Sequence, residues 1–145
     1  GPETLRTACA GLSMAQLATP ATPGRWSIQQ VVCHVSDFEI VSADRIKRVL
    51  AEERPTLFGG DPDLFAARLA YNQRAVEDEL QLISAIRRQV GTILQQTTPA
   101  DWERIGLHSE AGPLTLRQLL ERVTGHIPHH LQFITAKRVT LSAAG

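Results

Sequence analysis

The sequence predicts an all-α protein, a bundle of about four helices in a single domain that covers residues 1–145. Its longest patterned segments place apolar residues at the spacing of one helical face, and no segment sustains the alternation of a half-buried strand. A chain of 145 residues, 43% of them hydrophobic and 21% charged, suffices for one core and is too short for two. We therefore expect helices packed on helices, with one long crossover connection.

The amino-terminal half predicts a broken first helix and a long second one. Residues 3–18 are rich in Ala and Leu, and a Gly-Leu-Ser break divides them into a short helix and a further helical turn capped by Ser13. After a Thr- and Pro-rich connection, Ser27 and Gln30 form an S-x-x-Q capping box. Apolar residues follow on one helical face, so we expect the second helix over residues 28–53.

The carboxy-terminal half predicts two more helices. Helical patterning resumes at Leu64, and apolar residues then recur every seven positions, so we expect one helix over residues 64–96. Residues 106–113 contain Gly, Pro and polar residues, which is typical of a loop. Thr115 opens a second capping box before another apolar stripe, and this predicts the last helix over residues 115–138.

Composition argues against several classes of partner. Fifteen Lys and Arg residues balance fifteen Asp and Glu residues, so we expect no nucleic-acid partner. The apolar runs are far shorter than the roughly 20 residues that span a bilayer, so no membrane association is expected. No basic segment followed by an apolar core opens the chain, and we expect a cytoplasmic protein. Cys9 and Cys33 form no C-x-x-C pair and are expected to be free thiols.

Histidines crowd into the last predicted helix, which contains three of the five in the chain. At about 100° per residue, His126 and His130 lie about 40° apart and one turn along, so both imidazoles can reach one ion. His129 is rotated further from the apolar stripe. His34 lies at the flank of the apolar face of the second helix, where it can face the bundle interior. We therefore expect His34, His126 and His130 to form a metal site.

A metal site of this kind could support catalysis, but the histidine pattern also has a simpler explanation. Neutral imidazole nitrogens suit zinc, nickel, copper or iron, and three ligands leave a position for water or substrate. A coordinated water or thiol then becomes a nucleophile at neutral pH. The alternative is a set of half-buried, hydrogen-bonded histidines, because H-x-x-x-H arises easily by chance. Pro128 lies inside the motif, and its kink is either functional or a tolerated packing feature.

Residues near His34 add further expectations. Asp37 and Glu39 lie within about one turn of His34, where a carboxylate can accept the second imidazole N–H and orient the ring, and Asp37 is the better candidate by spacing. The alternative for Asp37 is a solvated helix charge. Cys33 points about 100° away from His34 and is not expected to be a ligand. Trp26 is expected to pack the incoming loop onto the bundle. Tyr71, in the crossover region, is left without a role because no motif fixes it.

The order of these motifs resembles that of a known family. Residues 26–39 (WSIQQVVCHVSDFE) are similar to the W-S-x-x-E/Q-v-v-x-H-x-x-D signature of the DinB-like (YfiT-like) proteins. Residues 108–116 and 125–130 (HSEAGPLTL and GHIPHH) are similar to the H-x-E-x-G-x-x-T-L and H-x-x-x-H motifs at the end of that family. The resemblance implies up-down-down-up connectivity, a divalent metal held by His34, His126 and His130, and a homodimer.

The resemblance also implies a class of activity. Some members of the family are transferases or isomerases that use a low-molecular-weight thiol such as bacillithiol, mycothiol or glutathione, and others are regarded as metal-dependent hydrolases. We expect zinc or nickel as the metal and a thiolate that attacks a small electrophilic substrate. Two alternatives stay open: hydrolysis by a metal-activated water, and a bundle without catalytic activity that binds metal or mediates dimerisation.

Overall fold

The computed structural model describes residues 1–143 and confirms the helical bundle, to which it adds a small sheet. The helices are α1 (Pro2–Cys9), α2 (Met14–Ala18), α3 (Ile28–Ala51), α4 (Pro62–Arg68), α5 (Val76–Leu94) and α6 (Leu116–Ala143). The strands are β1 (Thr56–Leu57), β2 (Ile105–His108) and β3 (Gly112–Thr115), and a 3₁₀ helix (Pro99–Glu103) precedes β2. None of the helices in this range has both the length and the apolar character needed to cross a bilayer.

Side chains that cap the helices set their starting points as the sequence predicts. The Ser27 hydroxyl accepts from the Gln30 backbone N–H, and the Gln30 side chain accepts from the Ser27 N–H in return, so α3 begins at Ile28. Thr115 and Gln118 form the same reciprocal pair before α6. Helix α6 continues through Pro128 and runs beyond the end we expected for it.

Helices α3 and α5 run parallel, which is why the chain needs a crossover. Near their amino-terminal ends, the Gln29 side chain donates to the Arg74 carbonyl at 2.7 Å, and near their carboxy-terminal ends Lys47 donates to Gln89 at 2.6 Å. Residues 52–75, which contain β1 and α4, therefore run back along the length of the bundle to the start of α5. This is the down-down pair of the expected up-down-down-up order.

The predicted single helix over residues 64–96 is wrong, because the chain breaks between α4 and α5. Ala70 has a φ of 54°, a left-handed conformation that an α-helix does not continue through. Leu69 appeared to continue the seven-residue pattern but is 43% exposed, whereas Tyr71 is 1% exposed. The break turns Tyr71 inward, and the periodic pattern belongs only to α5.

The loop predicted over residues 106–113 is also wrong, since it contributes to a sheet of order β1-β2-β3. Strand β1 pairs parallel to β2, and β2 pairs antiparallel to β3. Strands of two and four residues are too short to show a period of two. Glycine is required at Gly106, because a Cβ there would lie 2.5 Å from a Leu57 methyl carbon and 2.8 Å from one of Val49.

The core consists of two apolar clusters with a buried polar layer between them. One cluster lies around the first half of α3 and the other around its second half. Between them Glu39 is 1% exposed, and both of its oxygens accept from the Arg87 guanidinium of α5. Arg87 also donates to the Val123 carbonyl of α6 at 2.9 Å. One guanidinium therefore joins the three long helices at mid-height.

We predict that Arg87→Met destabilises the fold by about 3 kcal/mol, because it leaves the Glu39 carboxylate buried without a partner. Urea unfolding at neutral pH measures the change in the free energy of unfolding. Arg88→Met is the matched control, since Arg88 is exposed, and it is expected to change that free energy by less than about 0.5 kcal/mol. Equal effects of the two substitutions would contradict the role of the Glu39–Arg87 pair.

Candidate metal centre

Three imidazoles converge at one point between α3 and α6. The Nε2 atom of His126 lies 3.2 Å from that of His34 and 3.1 Å from that of His130. One nitrogen from each ring lies within 4.8 Å of the other two. His126 and His130 are one turn apart on α6, and His34 reaches them from α3, as the helical spacing predicts.

Aromatic side chains hold two of these rings in place. Phe38 stacks on His126 with ring centroids 3.6 Å apart and an interplanar angle of 18°. Trp26 packs at 5.2 Å from the His34 ring and at 6.4 Å from the Tyr71 ring, edge on. Trp26 thus packs against the bundle as expected, and it also borders the triad. These contacts leave the rings little freedom to turn away from one another.

The three histidines are neutral at neutral pH. Burial, together with the neighbouring imidazoles, lowers the pKa of His126 to about 3 and the pKa of His130 to about 4. Burial also lowers the pKa of His34, although the nearby Asp37 carboxylate opposes that change. A metal ligand must be neutral imidazole, so no proton has to be removed before an ion binds.

The donor set fits a divalent transition metal. Nitrogens about 2.0 Å from a tetrahedral zinc ion lie about 3.3 Å apart, close to the two separations from His126. His129, which we excluded, is exposed, and its ring packs against His130 and Phe133. Three imidazoles leave at least one coordination position for water or a reactant.

Asp37 does not make the hydrogen bond to His34 that its spacing led us to expect. One of its oxygens accepts from the Tyr71 hydroxyl at 2.8 Å, and both accept from the Arg74 guanidinium. Arg74 also pairs with Glu79, so the Asp37 carboxylate is held by the segment that leads into α5. A direct role of Asp37 in orienting the imidazole stays a prediction, and the negative charge of its carboxylate partly offsets the lowering of the His34 pKa by burial.

Sequence reasoning missed Tyr71 and Arg74, both of which lie in the break between α4 and α5. Their hydrogen bonds to Asp37 connect the crossover to α3 directly behind His34. Hydrogen bonds to Glu79 and Asp37 raise the pKa of the Arg74 guanidinium, so it stays charged. The sequence does show two polar residues, Tyr71 and Arg74, close together in this region. The apparently continuous helical pattern over residues 64–96 gave no indication of the turn that directs them inward.

Both cysteines are free, as predicted, and both are buried. The Cys33 Sγ faces the Tyr71 carbonyl at 3.6 Å, away from the triad. Burial raises the pKa of Cys33 to about 12 and the pKa of Cys9 to about 11. Neither thiol is therefore a thiolate at neutral pH, and any sulfur nucleophile has to come from outside the chain.

A cavity of about 260 Å³ opens beside the triad. His34, Asp37 and Phe38 form its inner end, and the crossover covers one side with Pro62 and Phe65. The volume exceeds that of a single water molecule several times over, since water occupies about 30 Å³ in the liquid. His34 is the member of the triad that lines the cavity, so a small molecule bound there would lie beside the imidazole cluster.

Comparisons with known proteins agree with this description. The family model of the DinB superfamily matches residues 1–134. A protein of Oceanobacillus iheyensis named "Putative metal-dependent hydrolase" is 30% identical over 135 residues, which cover 93% of this chain and 78% of the relative. A protein of Bacillus mycoides with the same descriptive name is 30% identical over 141 residues, 97% of this chain and 81% of the relative.

A solved structure shares the fold. YfiT from Bacillus subtilis, described as "a probable metal-dependent hydrolase with an unusual four-helix bundle topology", superposes with a TM-score of 0.89 at 25% sequence identity. The match covers 97% of this chain and 81% of that one. The resemblance stated from the motifs is thus confirmed over nearly the whole chain.

We predict that the wild-type protein binds one equivalent of Zn²⁺ or Ni²⁺, and that His126→Ala lowers the affinity more than about 100-fold by removing one of three ligands. Competition with a coloured chelator measures the affinity, and circular dichroism checks that the variant is folded. His129→Ala is the matched control because this exposed neighbour lies outside the triad, and it is expected to bind normally. Equal affinity of the two variants would rule out the triad as the site.

We also predict that the metal-free protein loses stability as the pH falls from 6.5 to about 4. In the unfolded chain the histidines take up protons below their ordinary pKa of 6.5, whereas the folded pKa of His126 is about 3 and that of His130 about 4. The unfolded state therefore binds more protons in this window and is favoured by acid.

The difference between wild type and a His126→Gln/His130→Gln double variant isolates this effect from the titration of carboxylates. Urea unfolding in the presence of chelator is measured at several pH values. The stability of the double variant is expected to fall less steeply between pH 6.5 and 5, and parallel curves would show that these two histidines do not contribute.

Proposed function

This chain belongs to the DinB superfamily, and from that premise we propose that it is a divalent-metal-dependent enzyme that acts on a small electrophilic substrate. The observation that carries the proposal is the meeting of three neutral imidazole nitrogens next to a cavity that one of them, His34, lines. His34, His126 and His130 would hold the metal. When bound, a divalent ion lowers the pKa of a water or thiol that it coordinates and polarises a substrate carbonyl.

The residues around the triad would prepare it for that chemistry. Phe38 and Trp26 fix the imidazole rings and keep bulk water from their faces. Asp37 provides a negative charge behind His34, held in place by Tyr71 and Arg74. With its ligands neutral, a divalent ion keeps its full positive charge at the site, which favours an anionic nucleophile.

Hydrolysis is the reaction that we propose first. The names of the relatives in Oceanobacillus iheyensis and Bacillus mycoides support it, as does the description of YfiT. Transfer of a low-molecular-weight thiol, the reaction that the sequence led us to expect, is the second candidate. The cavity is compatible with thiol transfer, because its volume of about 260 Å³ admits a reactant larger than water. A small-molecule substrate, a homodimer and a cytoplasmic location stay predictions.

We predict that the protein loaded with Zn²⁺ or Ni²⁺ hydrolyses activated aryl esters or amides without an added thiol. A His34→Ala/His126→Ala/His130→Ala variant is expected to lose at least about 100-fold in rate, since both the metal and its nucleophile are lost. His129→Ala should stay within twofold of wild type. Release of the aryl group at neutral pH is followed, and folding of each variant is checked by circular dichroism.

Three results separate the candidate functions. Turnover without thiol supports hydrolysis. Turnover that starts only when glutathione, bacillithiol or mycothiol is added, with formation of the thioether, supports thiol transfer. Equal rates for wild type and the triple variant, both folded, would leave only the alternative of a bundle without catalytic activity.

A further inference from the structure

Two arginines line the cavity beside the triad without an acidic partner. Arg45 of α3 and Arg122 of α6 make no ion pair within 4.0 Å among residues 1–143. The Nε of Arg45 is buried without a hydrogen-bond partner, and one of its Nη atoms donates to the Phe58 carbonyl. Because a buried donor without a partner is costly, the Arg45 Nε indicates a missing hydrogen-bond acceptor, whereas Arg122 is exposed and can bind one at the mouth of the cavity.

Two other half-buried arginines of the interior are paired with carboxylates, and two more, Arg104 and Arg138, donate to backbone carbonyls. Arg74 is paired with Asp37 and Glu79, and Arg87 is paired with Glu39. Burial lowers the pKa of Arg45, the Glu110 carboxylate opposes that change and the charge of Arg122 adds to it, although a guanidinium stays protonated in any case. Arg45 thus differs from the arginines that have a structural partner.

His108 adds a neutral donor to the same cavity. Its Nδ1 accepts from the backbone N–H groups of Glu110 at 3.2 Å and Ala111 at 3.3 Å. Because Nδ1 is an acceptor, the proton of the neutral ring is on Nε2. The Nε2 makes no hydrogen bond within the described range 1–143 and is free to donate. Burial and the charge of Arg45 lower the pKa of His108, so the neutral form prevails at neutral pH.

Charged side chains of both signs surround the cavity. Arg45 and Arg122 contribute two positive charges, and Glu110, which also lines the cavity, contributes one negative charge. The Asp37 carboxylate is already engaged by Tyr71 and Arg74. Arg74 is shared with Glu79, so the charges of these six side chains sum to zero, and the two cavity arginines would bind an anion through their free N–H donors and not through an excess of positive charge.

The donors lie at a useful distance from the triad. Arg122 precedes His126 by one turn of α6, an axial rise of about 6 Å. A molecule held by Arg122 at one end can therefore present an atom a few bonds away to the three imidazoles.

We propose that this cavity binds an oxyanion group of the substrate, a carboxylate or a phosphate, through Arg45, Arg122 and the Nε2–H of His108. The inference rests on the proposed function in one respect, namely that the reacting end of the same molecule lies at His34, His126 and His130. The preferred substrates are then anionic compounds in which a few bonds separate the anion from the electrophilic atom. Guanidinium groups suit both anions because they donate two parallel hydrogen bonds.

Binding to the metal-free protein tests this without any catalytic step. Chelator-treated protein is titrated with glutarate, with inorganic phosphate and with neutral glutaramide, and the backbone amide signals of Glu110 and Ala111 are followed by NMR. We expect saturable shifts with at least one of the anions and none with glutaramide. The tighter of the two anions identifies the group that the site prefers.

Arg45→Gln and Arg122→Gln are each expected to weaken anion binding by about tenfold or more, because each removes a charge-assisted donor. Arg88→Gln is the matched control, since Arg88 is exposed and does not line the cavity. Arg122 is also exposed, so its substitution tests the proposal even if Arg45→Gln does not fold.

Equal anion affinities in Arg122→Gln and Arg88→Gln, or no saturable binding of either anion, would overturn the proposal. Saturable anion binding that depends on Arg122, in a protein without metal-dependent turnover, would support the anion site while the proposed function fails. Metal-dependent turnover in a protein that binds no anion would support the proposed function and overturn the anion site.

Discussion

The buried ion pair between Glu39 and Arg87 is the constraint on which the arrangement of the long helices depends. It lies between two apolar clusters, where neither partner can be well hydrated, and its guanidinium also binds a carbonyl of α6. Apolar contacts tolerate small sliding movements, whereas a charged pair with fixed hydrogen-bond directions does not. By fixing α3, α5 and α6 relative to one another, the pair sets the height at which His34 meets the two histidines of α6. The triad lies one to two turns from this layer.

A second network fixes the other side of His34. Asp37 connects α3 to the break before α5 through Tyr71 and Arg74, and Arg74 continues to Glu79. The parallel course of α3 and α5 makes this possible, because the crossover has to return to the start of α3 before α5 begins. The same crossover supplies one wall of the cavity. The crossover of residues 52–75 thus has three roles. It connects the parallel helices, it contributes the residues that hold Asp37 behind His34, and it forms one wall of the cavity.

The sequence was sufficient for the elements whose signals are local. Capping boxes at Ser27 and Thr115 located the starts of α3 and α6, and helical spacing selected His126 and His130 over His129. The sequence was insufficient for features that depend on contacts between residues far apart along the chain. The inward turn at Tyr71 depends on a hydrogen bond to Asp37, and strand β2 depends on its pairing with β1 and β3. Neither interaction leaves a periodic pattern in the sequence. The anion-binding donors could not be predicted either, since nothing in the sequence shows that Arg45 has no acidic partner while Arg87 has one.

The separation of the ligands along the chain has a consequence for folding. His34 and His126 are 92 positions apart, so the site does not exist until the last helix has docked. A nascent or partly folded chain that lacks α6 offers only one of the three imidazoles and has no high affinity for the ion. If the proposed site binds its ion, metal uptake would be a late event, and an ion that binds only the native state would shift the folding equilibrium of the whole bundle by mass action. The ion would then link two helices that lie far apart along the chain, and the stability of the fold would depend on the concentration of free metal.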